Sequence, residues 1–266
     1  MPKKVRFPYY HVDAFTGHIF SGNPAGVCPL ECWFPDETLQ RIAAENNLSE
    51  TAFFVPGNGL FHLRWFTPTL EVDLCGHATL APAHVLFAEL GHAEDVLRFE
   101  TRSGLLMATR RGEIIELDFP ARPPLPCVAP DKLLGGLGSP PREVLKARDY
   151  VAVYGSQMEV AALKPNFELL SQLDCLGIIA TASGEDADFV SRFFAPGAGI
   201  AEDPVTGSSH CSLIPFWAER LGKNQMFARQ ISKRGGEIFC RHLGERVAIG
   251  GRAVIYGRGE IQIPDV

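Results

Sequence analysis

Two carboxylates and a glycine turn stand side by side in the stretch Ala201–His210. Glu202 and Asp203 come first, and a Thr-Gly-Ser turn ending at Ser208 leads into an apolar pattern of helical period that Gly222 can stop. A turn that opens a helix points backbone N–H groups and the positive end of the helix dipole at whatever lies in front of it. The stretch therefore predicts an anion site beside a carboxylate, against the alternative of an acidic loop with an ordinary serine N-cap.

A second stretch, Glu71–Thr79, has the same arrangement of acids, glycine turn and apolar helical pattern. The two copies align with Gly76 on Gly207 and His77 on Ser208, and an Arg-aromatic-Phe-X-Pro segment precedes each. A repeat spaced by about half the chain is too long for a solenoid and indicates two duplicated halves related by a pseudo-twofold axis. We expect a helix N-terminus from each half to face a site between them.

Glu50 is a further carboxylate of interest, because it follows Ser49 and begins the apolar strand pattern Glu50–Val55. A glutamate at the start of a strand is commonly solvated. The apolar neighbours favour partial burial instead. Burial raises the pKa of a carboxyl group and suits it to move protons near neutral pH.

The glycine-rich loop Thr16–Gly26 follows the first predicted strand. It lacks both G-x-G-x-x-G spacing and a G-K-[ST] ending, so it predicts no nucleotide site. Its simplest interpretation is a tight turn. Asn23 is the one side chain in the loop that we expect to touch a ligand.

The remaining patterns describe the elements that must position these residues. Strand patterns dominate, and late in the chain they cover Gln230–Phe239, Arg246–Ile249 and Ala253–Tyr256. Helical patterns are few: Pro35–Asn46 with acids in its first turn, and one apolar helix in each half. Because so few helices cannot cover a parallel sheet, the sequence predicts an α+β fold in which each half is mostly strands around one apolar helix.

Composition and length set the remaining limits. The 266 residues are 46% hydrophobic and 21% charged, which is ordinary for a globular protein with one large or two smaller domains. The proline-dense segment Pro120–Pro130 is the best boundary and predicts an N-terminal half, 1–119, and a C-terminal half, 120–266.

Charge and cysteine content exclude several classes of function. A net charge of −6 gives no basic surface, so we expect no nucleic acid partner. No apolar run approaches about 20 residues, and the N-terminus lacks a signal core, so we expect no membrane span and a cytoplasmic protein. The seven cysteines are odd in number and irregularly spaced, which indicates free thiols and no zinc site.

Five motifs in order along the chain resemble one known family. They are Val12–Phe15 with Gly22–Val27, Ser49–Phe53, Asp73–Thr79, Glu202–Ser208 and Gly250–Ala253. Together they resemble the PhzF-like (phenazine biosynthesis) family over essentially the whole chain. The resemblance implies a diaminopimelate epimerase-like fold, with two pseudo-symmetric halves that are each a β-barrel-like sheet wrapped around a central helix. It places the active site in the cleft between the halves.

The resemblance also implies an activity. The characterised isomerase of the family moves a proton on trans-2,3-dihydro-3-hydroxyanthranilate without metal or organic cofactor. The catalytic residues of that isomerase match Glu50, His77, Asp203 and Ser208 of this chain. The resemblance further implies that the protein is a homodimer. We expect Glu50 to carry the proton between carbons, and His77 and Asp203 to orient the amino group or the developing enol. The residues expected to bind the small carboxylate-bearing substrate are Asn23, Ser49, Cys75, Gly76 and Gly207.

Two other functions stay open at the level of sequence. The same fold hosts racemases and epimerases of small amino or hydroxy acids that use one thiol from each half. Cys75 occupies the first such position, but Glu202–Ser209 holds no cysteine, and a buried structural thiol is the simpler interpretation of Cys75. The other possibility is a non-catalytic family member that binds small molecules or serves as a scaffold.

Overall fold

The computed structural model describes residues 4–264 and divides them into two compact units. The first unit takes the described parts of Met1–Asp118 and Gly250–Val266, and the second unit is Phe119–Ile249. The chain leaves the first unit beside the predicted boundary at residues 119 and 120. The structure differs from the predicted halves in one segment, because the end of 120–266 returns to the first unit, where it pairs along the whole first strand.

Strands make up most of both units. They are β1 (Lys4–Ala14), β2 (Asn23–Pro29), β3 (Glu50–Pro56), β4 (Phe61–Phe66), β5 (Glu71–Val72), β6 (Val96–Thr101), β7 (Gly104–Arg111), β8 (Ile114–Pro120), β9 (Leu125–Pro126), β10 (Glu143–Lys146), β11 (Tyr150–Val153), β12 (Ile178–Ser183), β13 (Phe189–Ala195), β14 (Ile200–Asp203), β15 (Gln225–Gln230), β16 (Gly236–His242), β17 (Arg246–Gly251) and β18 (Ala253–Pro264).

The helices are few and short. They are α1 (Asp36–Asn46), α2 (His77–His84), α3 (Asp131–Leu137), α4 (Gln157–Ala162), α5 (Phe167–Leu170) and α6 (His210–Leu221). A π-helical turn, Val85–Glu89, continues α2, and a 3-10 turn, Pro196–Ala198, follows β13. Within residues 4–264, no helix combines the length and the apolarity needed to cross a membrane.

The first unit is a mixed sheet with one buried helix. Its strands lie in the order β18, β1, β2, β3, β4, β6, β7 and β8, and β5 adds a short pair to β4. The neighbours are antiparallel except for two parallel pairs, β2 with β3 and β4 with β6. Helix α2 packs against β1, β2, β3 and β7, and its residues His77–Ala83 are all buried. A helix that is buried on every side has no polar face, which explains its apolar sequence.

The second unit repeats this pairing. Strand β10 pairs antiparallel with β11, β11 parallel with β12, β12 antiparallel with β13, β13 parallel with β15, and β15 antiparallel with β16. The short β14 lies on β13 as β5 lies on β4. In α6, Trp217 stacks on Phe189 of β13 and donates from Nε1 to Thr181 Oγ1 of β12. The fold is therefore α+β, as predicted, and each unit holds one copy of the repeated pattern.

The predicted end of the second apolar helix is observed. Gly222 caps α6 with φ at 66°, and Gly91 takes the same φ at the matching place after the π-helical turn. Both values lie in the left-handed region, which costs glycine little because it has no Cβ.

Candidate active site

Glu50 enters the first unit as the first residue of β3. The parallel pairing with β2 sets it opposite Ala25, and its side chain is only 11% exposed. The apolar residues that follow it in β3 are buried in the core beneath the sheet. The start of β3 thus places a carboxylate next to the buried N-terminus of α2.

His77 is the partner of Glu50. It is the first residue of α2, and its Nε2 lies 2.8 Å from Glu50 Oε2, with the histidine side chain 5% exposed. Neither of these two atoms has an aligned hydrogen-bond partner among the described residues. The two groups are close enough for a strong electrostatic interaction.

Three more predicted site residues surround the His77 ring. Asn23 Nδ2 lies 3.1 Å from His77 Nδ1, and Cys75 Sγ lies 3.5 Å from the same nitrogen. Ser49 Oγ donates to Asn23 Oδ1 at 3.1 Å. Asn23 is fully buried, and its amide contacts both Ser49 and His77. The structure thus brings five predicted residues into one cluster in the first unit.

Burial and charge act in opposite directions on the titration of this cluster. Burial raises the pKa of the Cys75 thiol, so that it is neutral near pH 7. Burial alone would lower the pKa of His77, but the neighbouring Cys75 and Glu50 together raise it well above its ordinary value.

The start of α2 offers backbone donors next to this pair. No described residue accepts a hydrogen bond from the N–H groups of Gly76 and His77. The carbonyl of Cys75, which precedes them, is instead held by the hydroxyl of Thr79 at 2.5 Å. Free N–H groups at the N-terminus of a helix suit a carboxylate or a developing oxyanion.

The second unit has a matching turn. No described residue accepts a hydrogen bond from the N–H groups of Gly207 and Ser208. Here His210 Nδ1 lies 2.9 Å from the carbonyl of Thr206, so this nitrogen donates, as the Thr79 hydroxyl does in the first unit. Burial lowers the pKa of His210 to about 4, which keeps its ring neutral. The carbonyls of Cys75 and Thr206 are at equivalent positions in the two copies. A threonine hydroxyl binds the first of them and a histidine ring binds the second.

The predicted residues of the second unit have polar partners. Thr206 Oγ1 donates to Asp203 Oδ2 at 2.5 Å. Ser208 Oγ accepts from Arg148 Nη2 at 3.0 Å, and Arg148 also pairs with the buried Asp149 at 2.9 Å. Arg148 was not predicted. Its proximity depends on strand β11, and nothing in its local sequence signals it.

Both copies brace the loop that leads to the helix with the same ion pair. Arg64 binds the two oxygens of Glu71 at 2.7 Å each, and Arg192 binds those of Glu202 at 2.7 and 2.8 Å. Each guanidinium also lies over the phenylalanine two positions along its strand. Bidentate pairs of this kind fix geometry as well as charge, so Glu71 and Glu202 serve the scaffold.

Glu50, Cys75 and His77 also offer oxygen, sulfur and nitrogen atoms within 4.8 Å of one another, a set of ligand types that zinc accepts. The closest approaches use different ring nitrogens, Nε2 toward Glu50 and Nδ1 toward Cys75. Because the lone pairs of these nitrogens diverge, the arrangement suits proton transfer better than chelation of one ion. The absence of a metal remains a prediction.

Comparisons with known proteins identify the family and the fold. The sequence model of a family described as phenazine biosynthesis-like protein, PhzC-PhzF, matches residues 12–259. An uncharacterised isomerase of Pseudomonas aeruginosa is 53% identical over 254 residues, covering 96% of this chain and 98% of that protein. A PhzF family crystal structure from Enterococcus faecalis superposes with a TM-score of 0.95 at 46% identity, covering 97% of this chain and 99% of that one.

A more distant likeness concerns the fold alone. A hydroxyproline epimerase from Agrobacterium vitis, with bound trans-4-hydroxy-L-proline, superposes with a TM-score of 0.61 at 12% identity. The likeness covers 97% of this chain and 92% of that one. The predicted relation to epimerase-like folds is therefore confirmed.

Proposed function

The chain belongs to the phenazine biosynthesis-like (PhzC-PhzF) family, and from this premise we propose that it is an isomerase that moves a proton on a small carboxylate-bearing molecule without a cofactor. Relatives named isomerases support the reaction class. The specific proposal is a reaction similar to the isomerisation of trans-2,3-dihydro-3-hydroxyanthranilate.

The observation that carries the proposal is the buried pair of Glu50 and His77. A buried carboxylate held 2.8 Å from an imidazole is suited to take a proton from carbon and return it to another carbon. The His77 ring stabilises negative charge that develops on the substrate as the proton leaves. Burial keeps water away from the carbanion or enol that forms.

Backbone donors supply the second part of the proposal. We assign the N–H groups of Gly76 and His77 to the substrate carboxylate, since they have no described acceptor and lie at the N-terminus of α2. For the second unit we propose that Gly207, Ser208 and Asp203 bind polar groups of a small carboxylate-bearing substrate. Their participation is a prediction that variants of Asp203 and Ser208 test by their effect on KM and kcat.

The first experiment is NMR of trans-2,3-dihydro-3-hydroxyanthranilate in D2O with wild-type protein and with Glu50→Gln. We expect isomerisation or deuterium uptake that falls at least about 100-fold in the variant, because the proton acceptor is lost. Glu100→Gln is the matched control. Glu100 also lies 2.8 Å from a histidine nitrogen, that of His62, but on the exposed surface. Equal rates for wild type and Glu50→Gln would contradict the assignment of Glu50.

The racemase alternative rests on Cys75, whose sulfur lies 3.5 Å from His77 Nδ1. A thiol whose pKa is raised by burial is a poor base at neutral pH, and the matching position of the second unit is Thr206. Cys75→Ala distinguishes the two reactions on a panel of small amino and hydroxy acids in D2O. Loss of α-carbon exchange in Cys75→Ala would favour the racemase, whereas retained turnover would leave Glu50 as the base.

A protein that binds without catalysis is the remaining candidate. It predicts that the same compounds shift the NMR signals of the protein but exchange no proton with D2O. We further propose a homodimer, which follows from the family resemblance, and a location in the cytoplasm, which follows from the sequence patterns described above. Sedimentation equilibrium tests the dimer, and fractionation of cells tests the location.

A further inference from the structure

Gln230 is a buried glutamine at the end of β15 that the proposed chemistry does not use. It is 1% exposed and pairs with Ser191 of β13 on one side and Gly236 of β16 on the other. Its side chain reaches the loop that carries Asp203. Burying an amide side chain is costly unless its polar atoms form hydrogen bonds, so the partners of Gln230 must offset that cost.

All polar atoms of the Gln230 amide are used on this one loop. Oε1 accepts from the backbone N–H of Thr206 at 2.8 Å. Nε2 donates to the carbonyl of Asp203 at 2.8 Å and to Thr206 Oγ1 at 3.3 Å. The glutamine therefore spans both ends of the short turn from Asp203 to Thr206.

The last of these bonds reaches the carboxylate of Asp203. Thr206 Oγ1 accepts from Gln230 and donates to Asp203 Oδ2 at 2.5 Å. Because a hydroxyl that accepts one hydrogen bond donates a second more strongly, the three groups form a polarised chain. Ser232, two residues beyond Gln230, adds a bond to the carbonyl of Pro204 at 2.8 Å.

We propose that Gln230 is a positioning residue that sets the orientation of the Asp203 carboxylate and of the Gly207 turn for the substrate. The proposal rests on the proposed function, in which Asp203 contacts the substrate. Gln230 occupies the N–H of Thr206, and the N–H groups that follow it, of Gly207 and Ser208, have no described acceptor. A loop fixed in this way holds its donors ready before binding.

Gln230→Glu is the informative variant, since it preserves shape but removes both donated hydrogens when ionised. A protonated glutamic acid restores one donor toward the Asp203 carbonyl. The charged side chains nearest position 230 on the elements around it are Glu202 and Asp203 on the loop, Arg192 on β13 and Glu237 on β16. We expect kcat/KM to fall about 10- to 100-fold at alkaline pH and to recover partly as pH falls, relative to wild type at each pH.

Thr181→Val is the matched control for general damage to the second unit. The Thr181 hydroxyl is equally buried and bonds Val190 and Trp217, and it has no described contact with the loop. We expect this variant to lower the melting temperature without introducing a pH-dependent recovery of activity. If Gln230→Glu does not fold, Thr206→Val tests the same chain of bonds, because it removes only the hydroxyl between Gln230 and Asp203.

Hydrogen–deuterium exchange of the Thr206 amide provides a measurement that needs no substrate. We expect faster exchange than in wild type in Gln230→Leu, which lacks the acceptor of the Thr206 N–H, and no change in Thr181→Val. Unchanged exchange at Thr206 in Gln230→Leu would overturn the positioning role, and so would an unaltered kcat/KM in Gln230→Glu with no pH-dependent recovery. Faster exchange in Gln230→Leu, together with a wild-type protein that turns over no tested compound, would leave Gln230 holding the loop and would instead count against the proposed function.

Discussion

His77 is held between groups that act on its pKa in opposite directions. Burial opposes protonation, whereas Cys75 and the Glu50 carboxylate, 2.8 Å away, together raise the pKa well above its ordinary value. Asn23 and Cys75 contact the other nitrogen of the ring. The stability of the protein should therefore depend on pH through His77.

We expect the wild type to lose stability relative to Glu50→Gln as pH rises. A folded-state pKa above the unfolded value of about 6.5 gives stabilisation that is complete below that pH and disappears as pH rises through the folded pKa. Within that interval the free energy of unfolding changes by up to about 1.4 kcal/mol per pH unit. Urea unfolding at about pH 6 and about pH 9 measures it.

The exposed pair of His62 and Glu100 supplies the comparison for this prediction. Its side chains are 43% and 57% exposed, so solvent screens the interaction. The difference between wild type and Glu100→Gln should therefore change little over the same pH range. A pH-independent difference for Glu50→Gln as well would mean that His77 and Glu50 are not coupled.

At the scale of elements, two parts of the chain show why some features were predictable and others were not. The run Gln230–Phe239 predicted one strand, but the chain turns between β15 and β16, with Gly235 at φ 67°. The β-branched and aromatic residues on both sides outweighed the turn signal of the glycines. The same error hid Gln230, whose role depends on where β15 ends. Motifs local in sequence, such as the start of α2, were predictable because their geometry is set within a few residues.

Arg192 connects three elements and should affect stability more than a surface ion pair does. Besides Glu202 it donates from Nη1 to the carbonyls of Val160 and Leu163 at the end of α4. Lysine cannot make this fork, so we expect Arg192→Lys to lower the free energy of unfolding by about 2–3 kcal/mol. Urea denaturation gives the value.

Arg110 is a suitable reference for the Arg192 measurement. It pairs with Asp95, whose side chain is 69% exposed, and such pairs contribute about 1 kcal/mol or less. Equal effects of Arg110→Lys and Arg192→Lys would show that the link to α4 carries no stability.

At the scale of the whole molecule, the repeated pairing explains how one turn comes to be built twice. Both units place a buried helix behind a glycine turn and brace the preceding loop with an arginine and a glutamate. The side chains on the two turns differ, with histidine at position 77 and serine at position 208. The two units therefore share the backbone conformation of the glycine turn. The proposed chemistry depends on the side chains that each unit places on that turn.

Strand β18 is longer than the sequence predicted, and its removal should affect the first unit. The predicted strand ended at Tyr256, whereas the pairing with β1 carries β18 to Pro264. A truncation that deletes residues 253–266 leaves β1 with β2 as its remaining described neighbour. We expect loss of cooperative unfolding and aggregation through the exposed edge, as measured by circular dichroism and light scattering.

A shorter deletion, of residues 259–266, grades this effect. It removes the pairing of Lys4–Tyr9 and keeps that of Tyr10–Ala14, which lies next to β2. We expect a folded protein with a lower melting temperature. If both truncated forms unfolded like the full chain, β18 would be dispensable for the first unit.

The ladder between β1 and β18 joins a segment that precedes the second unit in the sequence to one that follows it. The strands β9–β16 of the second unit are therefore synthesised before β18 is made. Closing so long a loop is entropically costly and slow. During translation the first unit is thus completed only after the second unit has been made, and β1 carries an open edge until β18 follows.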